Sequence, residues 1–255
     1  MTSSLVGSEM CIRDRYILII GSIVALVFLA VAGNEKRAAA GLTRQNWKSA
    51  VLIVLAFVGI YIVRTVVSVA VQGVSDGSGM QYVKEWAAMF KNPMMWLNIA
   101  ALPINYFFVF IAFFGEEYGW RYYLQPVLQK RFGLRAGVII LGVVWGLWHI
   151  PDDLFYYTQT SGIQMIFAQQ ITCISLGIFF AYAYMKTQNI WVPVCLHYLN
   201  NNLIPIISGT FSADVLENQT VSWKDLPVAL VLNGLCFGFF LLADVFKKKE
   251  VQEEE

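Results

Sequence analysis

The stretch Phe113-Phe114-Gly115-Glu116-Glu117-Tyr118-Gly119-Trp120-Arg121 sets two carboxylates and a guanidinium inside a run that is otherwise fit for lipid. Upstream, residues 94–115 read almost wholly apolar. An ionised carboxylate in such surroundings costs several kcal/mol unless it is paired, hydrated or protonated, so an acid here points to function and to a partner. On a helix Glu117 and Arg121 sit four apart on one face, which makes Arg121 the neutralising partner of Glu117. Glu116 points about 100° away and has no partner in its own segment. The chain has 2 histidines, His149 and His197, and both lie in apolar runs. The rest of the sequence is read as the means of bringing Glu116 to them.

Working outward, 58% of the 255 residues are apolar and 14% are charged, which excludes an ordinary soluble domain and implies a polytopic membrane protein. The net charge of +1 leaves no basic face for nucleic acid. Cys173, Cys195 and Cys236 fall inside apolar runs without CxxC or Cys/His spacing, and read as small core side chains.

The expected fold is all-α, a transmembrane bundle of about seven spans. Residues 1–15 have no structural period and read as a non-native or disordered leader. Residues 16–246 form one transmembrane domain, with its chemistry in 95–207, and 247–255 is a charged tail. Spans are expected over 16–33, 49–72, 94 onward through Arg121, 134–150, 162–185, 190–207 and 226–246. Arg64 interrupts the second span and is read as a structural or snorkelling cation. Residues 83–91 suit a short interfacial helix, and Pro151-Asp152-Asp153 is expected to stop the fourth span. Gly142, Gly146 and Gly177 would let helices approach closely. Segments 34–48, 116–135, 186–189 and the tail hold twelve Lys and Arg against three in the alternate segments, which predicts a cytoplasmic C-terminus.

Glu116 lies 17 residues before Gly133 and His149 lies 16 after it. At about 1.5 Å per residue, an antiparallel hairpin turning at Gly133 brings the two to one level. His197 and Asn201, four apart, share a face of the sixth span.

Glu116-Glu117-Tyr118-Gly119-Trp120-Arg121, Trp145-Gly146-Leu147-Trp148-His149 and His197-Tyr198-Leu199-Asn200-Asn201 resemble the EExxxR, FxxxH and HxxxN motifs of the CPBP family. That family comprises intramembrane proteases related to CAAX prenyl endopeptidases and to bacteriocin-processing and self-immunity proteins of the Abi type. The resemblance covers about residues 95–207. Trp145 departs from it, standing where the second motif usually has phenylalanine. The resemblance implies that Glu116 is the catalytic glutamate and that Glu117 and Arg121 are its supporting pair. It makes His149 the second catalytic residue, and His197 with Asn201 the third-motif pair.

The chemistry stands on its own terms. A carboxylate in an apolar site can take a proton from water that His149 orients, while His197 and the Asn201 amide donate to the oxyanion of a scissile carbonyl. Two versions stay open. In one, Glu116, His149 and His197 ligate zinc, which brings the pKa of bound water towards ~7. In the other Glu116 is the base without a metal, and there is no HExxH to argue for zinc from spacing. The expected activity is hydrolysis of a peptide bond in a membrane-associated substrate, CAAX-like, leader-bearing or regulatory, in the bacterial plasma membrane. The partners are that substrate and the lipid bilayer, with no nucleic acid. The rivals are a proton- or ion-coupled transporter, for which the sequence lacks an internal repeat, and a non-catalytic immunity or scaffold protein.

Overall fold

In lipid every backbone polar group has to be satisfied within its own segment, and runs this long and apolar therefore coil into helices. The computed structural model describes residues 30–76, 79–208 and 218–247, together with Ile20, Ile23, Val24 and Val27, and among them every regular element is helical. In chain order these are α1 (Asn34–Ala39), α2 (Trp47–Asp76), α3 (Gly79–Lys91), α4 (Pro93–Glu117), a π-helical stretch (Tyr118–Leu124), α5 (Gln125–Phe132), α6 (Leu134–Trp148), α7 (Ile150–Phe155), α8 (Gly162–Thr187), α9 (Trp191–Ser208) and α10 (Asp225–Cys236). Two 3₁₀ turns, Gly238–Leu242 and Asp244–Phe246, follow.

Four stretches are long and apolar enough to cross a membrane: Trp47–Val71, Pro93–Phe132, Leu134–Phe155 and Gly162–Thr187. The expected count of about seven is not reached among the described residues. Most of the first expected span and the 1–15 leader lie outside the described residues, as does the tail beyond Lys247. α9 carries His197 and Asn200-Asn201-Asn202 inside its apolar run. α10 stops at Cys236, short of the continuous helix expected to Phe246. The cause is aromatic packing. Side chains three apart eclipse in a 3₁₀ turn, and this tighter coil lets both Phe237 and Phe240 reach Phe179, at ring separations of 5.7 and 4.7 Å. Phe237, fully buried, also meets Tyr61 at 5.0 Å.

The 40 residues of Pro93–Phe132 run without a break. At a rise of about 1.5 Å per residue they span about 60 Å, twice the ~30 Å hydrocarbon core, so the polar end around Gln125–Arg131 stands outside it. Asn92 caps α4 by accepting from the Met94 N–H at 2.9 Å, and Pro93 occupies the first turn, where its missing donor is harmless. Gly133, at φ +88°, makes the expected turn. α6 then returns along the same line, as the contact between Arg121 and Trp145 records. Both residues lie 12 from Gly133, and the guanidinium carbon sits 4.8 Å from the indole centroid.

The fourth span ends differently from expectation. Pro151 does not stop helical structure. It opens α7, because a proline in the first turn loses no bond that the helix would have made. His149 therefore sits at the junction of two helices, with φ −85° and ψ −5°.

α6 packs on α8 through Gly142, where an added Cβ would meet the Ile174 Cα at 2.6 Å. Gly142→Val is expected to force the two helices apart at a cost of about 1–3 kcal/mol, read as a lower thermal midpoint in detergent. Phe57, Tyr61, Trp145, Phe179, Phe180, Leu196 and Phe237 form the main buried cluster, and Leu52, Leu55, Leu97, Ile104 and Phe107 are exposed on the outer faces, as lipid-facing side chains require. α3 is the short amphipathic helix expected beside the spans, tied down by the Trp86 Nε1–H donating to the Ile207 carbonyl at 2.9 Å.

Candidate active site

The site is built where the first arm of the hairpin leaves α-helical winding. In the Tyr118–Leu124 stretch the Gln125 N–H donates to the Trp120 carbonyl, five residues back. The extra residue per turn changes which side chains face inward, and such turns recur at functional sites. Here Arg121 is turned fully into the protein. Its Nε lies 3.2 Å from Glu117 Oε2, so the expected pair forms although the turn between them is not purely α-helical. The guanidinium is further sandwiched by the faces of Trp145 and Phe180, at 4.8 and 5.3 Å.

Glu117 is shared. Its other oxygen, Oε1, accepts from the His197 Nδ1–H at 2.9 Å, joining α4 to α9 in the buried interior. The pair Glu117–Arg121 is thus a triad with His197, and the depth of His197 is set by contact. Because both carboxylate oxygens face cationic or N–H partners, Glu117 is a holder of other groups. Glu117→Gln leaves Arg121 as a buried charge without its counter-ion, and about 3–5 kcal/mol of stability is expected to go with it, visible as a large drop in thermal midpoint.

Glu116 is arranged the opposite way. It is partly buried, and its Oε2 is sealed from solvent without a hydrogen-bond partner among the described residues. His149, on the returning arm, uses Nδ1 towards the Trp145 carbonyl, 2.8 Å away. A carbonyl can only accept, so Nδ1 carries the proton of this bond and Nε2 is the ring nitrogen left for another partner. The two arms also meet at this level through Trp120 and Trp148, whose rings are edge-on at 6.3 Å. Cys173, on α8, brings its Sγ 3.8 Å from His149 Nδ1 and lies within electrostatic reach of Glu116, Arg121 and Asp153.

Trp145 is the hub that sequence reading treated only as a substituted phenylalanine. Its ring is edge-on to both histidines, at 5.8 Å from His149 and 5.4 Å from His197, and it carries Arg121 on its face. One side chain therefore sets the relative position of three of the motif residues. Asp153 was also passed over. It is fully buried one turn beyond His149, with neither oxygen hydrogen-bonded among the described residues, and its spacing of four from His149 was the available signal.

Asn201 is exposed, and its Oδ1 accepts from Asn200 Nδ2 at 2.9 Å. It thus shares the helix but not a hydrogen bond with His197. Among the described residues no three His, Cys, Asp or Glu side chains gather to hold a metal ion, and His197 Nδ1 is engaged with Glu117. As placed, Glu116, His149 and His197 do not form a ligand set, and no step below is routed through zinc.

Comparison with known proteins bears on the same segment. Residues 97–203 match the family described as type II CAAX prenyl endopeptidase Rce1-like. CAAX prenyl protease 2 of Methanococcus maripaludis is 27% identical over 125 residues, which cover 46% of this chain and 45% of that protein. The match thus spans about half the length of the curated relative. No solved structure matches. Over this segment, which carries all three motifs, the chain is similar to type II CAAX prenyl endopeptidases, and its long apolar helices are those of an integral membrane protein.

Proposed function

We propose that the protein is an intramembrane endopeptidase in which Glu116 is the general base. The observation that carries this reading is the division of labour between adjacent carboxylates: Glu117 is engaged by Arg121 and His197, whereas Glu116 keeps a sealed oxygen, Oε2, with no hydrogen-bond partner among the described residues. A second carboxylate built only for stability would be paired as the first one is.

In the proposed reaction a water, oriented by the lone pair of His149 Nε2, attacks the scissile carbonyl carbon while Glu116 takes its proton. The charge that develops on the carbonyl oxygen is met by the Asn201 NH₂, while His197 gives its Nδ1–H to Glu117 and so presents a lone pair on Nε2. As the C–N bond breaks, the proton on Glu116 passes to the leaving amine and the hydroxyl stays on the carbonyl carbon. The base is regenerated. Arg121 holds the Glu117 carboxylate in place, and the indole of Trp145 spaces the two histidines.

The substrate proposed is a membrane-anchored protein or peptide cut close to the bilayer, with a prenylated CAAX-type C-terminus as the first to try, since the matching family and relative carry that name. The purified, detergent-solubilised protein is incubated with prenylated and unprenylated forms of one peptide, with and without a strong chelator. Cleavage that survives chelation is expected. Loss of cleavage on chelation, restored by added zinc, would move Glu116, His149 and His197 from base and orienting roles to metal ligation.

A further inference from the structure

Asn201 offers an oxyanion an NH₂ donor only if its amide faces the right way, for the same group turned over presents a carbonyl oxygen that repels the developing charge. An exposed asparagine at the end of a two-bond side chain does not hold one orientation by itself. Its carbonyl edge is occupied here. Asn200 Nδ2 donates to Asn201 Oδ1 at 2.9 Å, and Asn200 is held in that orientation from the other side, where its own Oδ1 accepts from the Tyr61 hydroxyl.

Tyr61 is itself immobile. Its ring is buried, edge-on to Phe57 at 4.9 Å and tilted on Phe237 at 5.0 Å. The Arg64 guanidinium packs over it at 5.8 Å, fixed in turn by Nε donating to Asn233 Oδ1 at 2.9 Å. A buried tyrosine hydroxyl needs a partner, and the one it finds is Asn200. Asn200 Oδ1 has no proton to give, so in this arrangement the Tyr61 O–H is the donor. Each amide along the line is then orientated by the one before it.

We propose that Tyr61 and Asn200 are positioning residues for catalysis, a relay from α2 that locks the Asn201 amide with its NH₂ towards the scissile carbonyl. The proposal rests on the reading of Asn201 as an oxyanion donor and extends it to a helix that lies outside the 97–203 match. It also gives Arg64 a use: the cation that interrupts the second span buttresses the ring that starts the relay.

The test is a cycle of Tyr61→Phe and Asn201→Ala, with kcat and KM measured on one membrane-anchored peptide for the purified protein. Tyr61→Phe keeps the ring and its packing, so the thermal midpoint provides a check that the fold is intact. Its kcat is expected to fall about 3- to 10-fold, the factor that one neutral hydrogen bond commonly sets, with KM unchanged. Asn200→Ala is expected to give the same fall. In the Asn201→Ala background Tyr61→Phe should have no further effect, since the amide it orients is gone. A wild-type kcat for Tyr61→Phe beside a slowed Asn201→Ala would overturn the relay alone. The same fold-loss from Tyr61→Phe with and without Asn201 would also overturn it, because the tyrosine would then act through packing. A wild-type rate for Asn201→Ala would overturn the oxyanion reading itself.

Discussion

Glu116→Gln is expected to slow peptide hydrolysis by ~10²-fold or more while the thermal midpoint in detergent stays at the wild-type value. The amide keeps the size and hydrogen-bonding capacity of the carboxylate but cannot accept the proton of an attacking water. Stability should hold because Glu116 Oε2 has no hydrogen-bond partner among the described residues to leave behind. That separates it from its neighbour. Glu117 holds Arg121 at 3.2 Å and His197 at 2.9 Å, so losing its charge disturbs both folding and activity. The comparison of the two adjacent substitutions is therefore informative in itself: cleavage and stability should fall together at 117 and part company at 116. If Glu116→Gln cleaves at the wild-type rate, or loses rate only in proportion to stability, Glu116 is not the base.

Asn201→Ala is expected to lower kcat by on the order of 10²- to 10³-fold with little change in KM, the behaviour of a donor that acts chiefly in the transition state. Its exposure means that truncation opens no cavity. Its hydrogen bond from Asn200 is a surface bond, whose loss has a small effect on folding. A rise in KM at constant kcat would instead make Asn201 a binding residue for the substrate backbone. Steady-state cleavage of a quenched, membrane-anchored peptide measures both constants.

Much of this arrangement was legible in the order of residues. The hairpin about Gly133 followed from equal arm lengths, and the contact of Arg121 with Trp145 bears that register out. The Glu117–Arg121 pair followed from spacing alone. Three features were not legible. The π-helical turn at Tyr118–Leu124 is bought by the burial of Arg121 between two aromatic faces, which no periodicity in the sequence announces. Pro151 reads as a terminator by propensity, yet the break had already occurred at His149, so the proline begins a new helix. The last apolar run has the composition of a span, but its α-helical winding ends at Cys236, where Phe237 and Phe240 both pack on Phe179. The bond from His197 to Glu117 crosses 80 residues and was a matter of depth that loop lengths alone left open.

The rival reading, a proton- or ion-coupled transporter, uses the same buried acids and histidines without breaking any peptide bond. One experiment separates the two. The protein is reconstituted in proteoliposomes with a prenylated, membrane-anchored C-terminal peptide, and new amino and carboxyl termini are sought by mass spectrometry while ion and proton flux is recorded across the same vesicles. Cleavage at a defined bond, absent from Glu116→Gln and unaccompanied by flux, is the result this account predicts. An intact peptide together with flux that Glu116→Gln abolishes would contradict it.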